Sequence, residues 1–325
     1  MRRYLIKRIG VYIAIFLGVT VLIFGLMMAM PGDPFSGLMM DPTIPPEYIE
    51  QQQNKLGLND PVPVQYVKWA MRALHGDMGY TSNGKPAAPQ VWKAMKNTFL
   101  LTIPSFIFST CIAVILGIFS AIRENKLFDK IVTILTFLEV SIPTFFLALT
   151  CVKIFGYDLQ LLPVSGLHSL KGDLSGFAYV KDTILHMILP VSILTLTQTS
   201  SMLRYTRSSL LDVMNQDYIR TAMAKGLTRK QAILQHGVRN ALLPMITIFC
   251  MRLPMILSGA LFTETVFVWP GIGMLNYNSI MSREYALIIA IATMLAVVIL
   301  ATNLLADILY MLADPRIRLG GAKQS

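Results

Sequence analysis

The sequence predicts an all-α integral membrane protein with six transmembrane helices and a helical extracytoplasmic loop. Three observations predict it. Only 14% of the 325 residues are charged, 54% are hydrophobic and the mean hydropathy is +0.57, whereas a soluble domain carries about 25% charged residues. Six apolar runs match the roughly 20 residues that a bilayer span requires. The Lys and Arg residues gather on alternate connections between those runs, as the positive-inside rule demands. That rule also accounts for the formal net charge of +10 without nucleic acid as a partner.

The first run, Ile9–Met30, has no charged residue and no small-residue cleavage site after it. It is longer than the roughly 7–15 apolar residues of a signal-peptide core, so it reads as a retained helix. The others are Phe99–Ile122, Ile131–Gly156, Ile184–Leu203, Ala241–Trp269 and Tyr285–Ala313. The run Ile184–Leu203 is the most polar, with Pro190, Gln198 and many Ser and Thr. That composition suits a helix facing protein rather than lipid. Pro143 and Pro254 mark possible kinks.

Six spans place both ends on one side. That side receives Arg2, Arg3, Lys7 and Arg8, then Arg123, Lys126 and Lys130. It also receives Arg204, Arg207, Arg220, Lys225, Arg229, Lys230 and Arg239, and finally Arg316, Arg318 and Lys323. Both termini are therefore expected in the cytoplasm. The expected organisation is a tail and first helix over 1–30, an extracytoplasmic helical loop over 31–97, five helices over 98–313 and a cytoplasmic tail over 314–325.

The outer loop has helix punctuation. In "PPEYIEQQQNKLG" Pro precedes a helix start and Gly57 stops it. In "VQYVKWAMRALHG" the residues Val67, Ala70, Met71 and Leu74 share one face ahead of Gly76. A small helical cap packed on the outer ends of the spans is expected. Composition leaves open whether it fills space or docks an external partner.

The stretch "DYIRTAMAKGLTRKQAILQHGVRNALLP", 217–244, is basic yet lies between two spans. Leu210, Met214, Tyr218 and Ala222 recur every four residues, which marks one helix face. Gly226 ends that helix, because glycine takes the left-handed stop at little cost. Thr228 and Gln231 then form a Thr-x-x-Gln capping box for a second helix, with Arg229, Lys230 and Arg239 in water. Thr221, Ala222 and Ala224 are small enough to let another surface approach. A basic amphipathic helix resting on anionic lipid is the alternative.

Ionisable residues in apolar runs are candidates for function. Glu139 and Arg252 lie deepest; Glu264 and Gly259 lie toward one end of their run, as candidates for a path or gate. Lys153, Glu264, His186 and Asp307 sit near span ends, where a side chain reaches water. Cys111, Cys151 and Cys250 are odd in number, widely spaced and in apolar runs, so they read as small hydrophobes. No Gly-x-x-x-x-Gly-Lys-Ser/Thr phosphate loop occurs, so ATP dependence requires another chain. No catalytic or metal-ligating constellation is apparent.

Residues 217–244 resemble the EAA loop of permease subunits of bacterial ATP-binding-cassette importers. In that loop Glu-Ala-Ala, three residues and Gly form a coupling helix that docks in the ATPase. Arg220, Thr221, Ala222 and Gly226 occupy those positions here. With the flanking "RNALLP", the variant spelling is similar to that of the B-type dipeptide, oligopeptide and nickel permeases. So are "MRRYLIKRIG", "MPGDP", "LGLNDPVPVQY", "GDMGY", "ETVFVWPGIG" and "DPRIRLG", in order along nearly the whole chain. The resemblance implies a type I ABC importer permease fold, with a coupling loop over about 205–243. It assigns ATPase contact to Arg220, Thr221, Ala222, Ala224, Lys225 and Gly226. Arg220 in place of Glu implies a different polar contact there.

The implied partners are a homologous C-type permease, two cytoplasmic ATPases that carry ATP and Mg, an external peptide-binding protein and membrane lipid. No cofactor is expected on this chain, and the implied location is the bacterial cytoplasmic membrane. Peptides are the implied substrate; nickel or another small solute is the alternative, and the twenty Met read as apolar filler. Two rival classes remain: an ion-gradient-driven secondary transporter, for which only Glu139 is a clear buried carboxylate, and a membrane enzyme such as an intramembrane protease.

Overall fold

The computed structural model describes residues 2–29, 45, 47, 60–169, 175–257 and 260–313. The described residues are almost wholly helical. The helices are α1 (Arg2–Ala29), α2 (Val62–Leu74), α3 (Ala87–Ile122), α4 (Leu127–Ser141) and α5 (Thr144–Cys151). They continue with α6 (Gly176–Met214), α7 (Asp217–Ala224), α8 (Arg229–Ala232) and α9 (Val238–Leu257), then α10 (Leu261–Val266), α11 (Ile272–Met281) and α12 (Tyr285–Ala313). The stop expected at Gly57, the gate candidate Gly259 and the tail after residue 313 lie outside the described residues.

Among the described residues, four helical stretches are long and apolar enough to span a membrane: Ile6–Ala29, Ala87–Ile122, Gly176–Met214 and Tyr285–Leu309. The expected span Ile131–Gly156 is broken. α4 and the helical stretch Thr144–Asp158 that α5 begins meet at 99° across residues 142 and 143, where Pro143 caps α5 with φ −59° and ψ 134°. Proline biases the residue before it away from helical backbone, and Ile142 is extended at φ −91°, ψ 123°. The expected span Ala241–Trp269 divides into α9 and α10. Pro254, read as a possible kink, lies inside the continuous α9.

Contacts divide the chain into two compact units. One comprises Met1–Thr98 and Pro270–Ala301, the other Phe99–Trp269 and Thr302–Ser325. In the first, Phe24 and Met27 of α1 cluster with Trp69 of α2 and with Tyr285 and Ile289 of α12. The connection before α11 is pinned there too: Asn97 Nδ2 donates to Pro270 O at 2.9 Å, and the Ile272 N–H to Thr98 Oγ1 at 2.8 Å.

The α2 helix faces the opposite way from the sequence expectation. Val67, Met71 and Leu74 are exposed, and only Ala70 of the expected face packs inward. The buried side chains are Gln65 and Trp69, flanked by Tyr66 and Ala73. Aromatic area decided the packing. Trp69, Tyr66 and Phe24 lie with centroids 5.6–6.0 Å apart, within the favourable range for ring pairs.

The second unit is organised around α6. Its small and hydroxyl residues Thr195, Thr199, Ser200 and Thr206 are buried, which is the protein-facing role expected of the most polar span. α3 approaches α6 closely at Gly117, where a Cβ would stand 2.6 Å from Thr206 Cβ. A helix crossing at that distance tolerates only glycine.

Candidate functional site

The basic stretch folds as helix, turn, helix, with one departure from expectation. The helix expected to run from Leu210 to Gly226 is interrupted: α6 ends at Met214, and α7 starts at Asp217 after an extended Gln216. The four-residue apolar rhythm crosses this break, so periodicity alone did not reveal it. Leu210 is fully buried, whereas Tyr218 is 40% exposed.

The end of α7 has two capping bonds. The Leu227 N–H donates to Ala222 O at 3.3 Å and the Gly226 N–H to Met223 O at 2.9 Å. This is the Schellman pairing, and Gly226 sits at φ 96°. No atom lies within 4 Å of where its Cβ would be, so backbone conformation rather than space selects glycine. The Thr228 capping box is formed: the Gln231 N–H donates to Thr228 Oγ1 at 3.3 Å, and the Thr228 N–H to Gln231 Oε1 at 3.0 Å. Arg229 and Lys230 are exposed. The side chain of Arg239 is outside the described set.

α7 rests on its base through Ile219 and Ala222, which cluster with Ala232 and Leu227. Ala222, expected to meet another surface, is therefore turned inward at 8% exposure. Arg220, Thr221, Ala224, Lys225 and Gly226 are outward. Arg220 is 3.6 Å from Asp217 one turn earlier, with both side chains largely in water, so this pair contributes little to stability. Beneath α7, Leu210, Ile233, Ala241 and Met245 pack with Ala121 of α3.

Sequence reasoning missed Asp129, in the first turn of α4. Its side chain is 4% exposed and accepts from Arg207 of α6 at 2.7 Å (Nε) and 2.8 Å (Nη2). The Asn125 N–H donates to it at 2.9 Å, and Ser120 Oγ of α3 donates as well. Asn125 has φ 62°, a left-handed conformation that asparagine tolerates, and the turn thereby aims its N–H at the carboxylate. A bidentate guanidinium gives a carboxylate two charge-assisted hydrogen bonds, each roughly twice as strong as a neutral one. This cluster joins α3, α4 and α6 just before the chain enters α7. An acid in a helix's first turn is a common sequence feature. Nothing local announces a partner 78 residues away.

The path candidates occupy three helices. Glu139 is half-buried near the end of α4, with Oε2 enclosed and without a hydrogen-bond partner. Arg204 of α6 acts on it electrostatically. Arg252 is half-buried on α9. Glu264, expected near water at a span end, is instead 0% exposed in α10. The Ala260 N–H lies 3.5 Å from its Oε1. His186 is likewise buried, with Nδ1 2.8 Å from Asp182 O. Lys153 does reach water, paired with Asp158 at 2.7 Å. An apolar cavity of about 580 Å³ between α3 and α6 was not foreseen; Phe108, Met187, Val191 and Thr195 contribute to its lining.

Comparison with known proteins gives two family matches in tandem. Residues 113–319 match the binding-protein-dependent transport system inner membrane component. Residues 1–102 match the N-terminal region of membrane components of the same systems. Among curated proteins, the chain is 40% identical over 319 residues to the oligopeptide transport system permease protein AppB of Bacillus subtilis (strain 168). It is 32% identical over 336 residues to the dipeptide transport system permease protein DppB of Escherichia coli (strain K12). It is 33% identical over 325 residues to the oligopeptide transport system permease protein OppB of Mycobacterium bovis. Each alignment covers 98% of this chain and 99% of the relative.

Proposed function

The chain belongs to the binding-protein-dependent transport system inner membrane component family, and from that premise we propose that it is the B-type permease of an ATP-driven peptide importer. The relatives' names support peptides as the solute. A homologous permease would complete the pathway, two cytoplasmic ATPases would bind ATP and Mg, and an external binding protein would deliver peptide. In this reading both termini and α7 face the cytoplasm and α2 lies on the opposite side. Residues 31–97 form the outer loop, 98–313 the transport domain and 205–243 its coupling loop.

One observation carries the mechanism. α7 is a short helix closed by a Schellman stop at Gly226, whose outward face comprises Arg220, Thr221, Ala224 and Lys225, while Ile219 and Ala222 hold it to the bundle. Closure of the ATPases pushes on that face. The buried contacts pass the displacement to α6 and α9, and the Asp129–Arg207 pair carries it from α6 into α4. The broken α4–α5 pair then moves with Glu139 at its bend. Glu139, Arg252, Glu264 and Gly259 are the residues proposed for the path.

Reconstitution tests this reading. Vesicles holding the chain with its partner permease and ATPases should take up labelled peptide when ATP is inside and binding protein outside, with no ion gradient. Uptake that needs an ion gradient and ignores ATP would replace the importer with a secondary transporter.

A further inference from the structure

The unexpected orientation of α2 leaves an apolar stripe facing away from the protein. Val64, Val67, Met71 and Leu74 recur at three- and four-residue spacing and are 41%, 58%, 56% and 81% exposed. The opposite face holds Trp69 against α1 and α12. Lys68, bound to Asp60 at 2.5 Å, and Arg72 flank the stripe along one edge.

The depth of this stripe follows from α1. The uncharged part of α1, Ile9 to Ala29, spans about 31 Å at the usual helical rise, close to the thickness of a bilayer's hydrocarbon core. Ala29 therefore stands near the hydrocarbon edge. Thr20 lies about 13 Å below it and Phe24 about 7 Å below it on the same rise. Yet Tyr66 of α2 reaches Thr20, hydroxyl to hydroxyl, at 3.0 Å, and Trp69 packs on Phe24 at 5.9 Å between centroids. A cap resting above the membrane could not make both contacts. The α1 residues Leu17, Val21 and Leu22 are also exposed and apolar, so lipid that covers them at this depth also meets the α2 stripe.

We propose that α2 is an interfacial membrane helix, with Val64, Val67, Met71 and Leu74 seated among the phospholipid acyl chains of the leaflet that the C-terminal end of α1 reaches. Lys68 and Arg72 extend from the edge of the stripe toward the phosphates, their aliphatic stems in the boundary layer. An apolar face sunk about 5–10 Å below the headgroups is the usual depth of such helices. In the importer, α2 would brace α1 and α12 against the leaflet, and an external protein would dock elsewhere on this side.

Nitroxide labels at Val67→Cys, Met71→Cys and Leu74→Cys decide the point, in the full-length chain with Cys111, Cys151 and Cys250 replaced by Ala. The protein is reconstituted in phosphatidylethanolamine–phosphatidylglycerol vesicles. Collision rates with oxygen, which concentrates in lipid, are compared with those of a water-soluble nickel chelate. Leu17→Cys serves as the lipid reference and Lys85→Cys as the aqueous one. The three stripe positions should favour oxygen severalfold, as Leu17 does. A preference for the chelate, as at Lys85, would overturn the proposal in favour of a water-facing cap. Protection from both reagents would overturn it in favour of protein cover. Chelate access at Leu17 itself would show that α1 is not a span, and the proposal would fall for that separate reason.

Discussion

α2 and α7 are built alike and face different surroundings. Each is a short amphipathic helix closed by a Schellman pairing onto a left-handed glycine. At α2 the Gly76 N–H donates to Ala73 O at 2.9 Å and the Asp77 N–H to Arg72 O at 3.1 Å, with Gly76 at φ 84°. α7 repeats this at Gly226. Each packs through one narrow face, Trp69 with Gln65 in one case and Ile219 with Ala222 in the other. They differ on the outside. α7 presents Arg220, Thr221 and Lys225, whereas α2 presents Val64, Val67, Met71 and Leu74. Local code makes a helix and stops it; the outward face records the medium. A charged outer face suits water and a protein partner, and an aliphatic outer face suits lipid.

The largest effect tests the base beneath α7. Asp129→Ala leaves the Arg207 guanidinium, 27% exposed, without its main partner. Removing one member of a buried pair costs roughly 3–5 kcal/mol, and the partial exposure of Arg207 places this case near about 3. Thermal unfolding in detergent should shift down by several degrees and peptide uptake should fall. Collision rates at Met71 should stay unchanged, because α2 belongs to the other unit. Parent-like stability and uptake would remove Asp129 from the coupling route.

Trp69→Ala tests the α2 side. In a water-facing core the change would cost roughly 3–5 kcal/mol. In a membrane, lipid fills much of the gap and only packing is lost, so about 2 kcal/mol is expected. Differential thermal stability in vesicles against parent measures it. A loss at the full aqueous value would argue that α2 is a water-bathed cap and that its likeness to α7 extends to its surroundings.

The smallest energetic effect is at the α7 stop. Gly226→Val puts a β-branched residue at φ 96°, which costs roughly 1–2 kcal/mol. The protein should reach the membrane at parent level while ATP hydrolysis proceeds with reduced uptake. Thr221→Cys, on the outward face, should crosslink to the ATPase in the parent and weakly in the Gly226→Val background. Ala222→Cys should crosslink poorly in both, because that position points inward. Unchanged uptake and crosslinking would mean that α7 is not the coupling element.

Much of this protein was determined locally, and so it could be read from sequence. Apolar length marked four of the six expected spans as continuous helices among the described residues, since a bilayer requires about 20 residues whatever surrounds them. Gly226 and the Thr228–Gln231 box marked helix ends because capping bonds join residues within one turn. The most polar run became the protein-facing α6 for a reason equally local: its Ser and Thr side chains need partners.

What only the tertiary structure decided depends on groups far apart in the chain or on the identity of the solvent. Asp129 and Arg207 meet because α4 and α6 cross, which no spacing rule encodes. The break at residues 215–216 was hidden because apolar positions stay in register across it. Glu264 was expected near water because its sequence position suggested a span end, but α10 turned it into a buried site. The inversion of α2 has the deepest cause. Amphipathic patterning says which side of a helix avoids water, and beside a membrane both sides can avoid it. Aromatic packing against α1 then selected the face that meets protein.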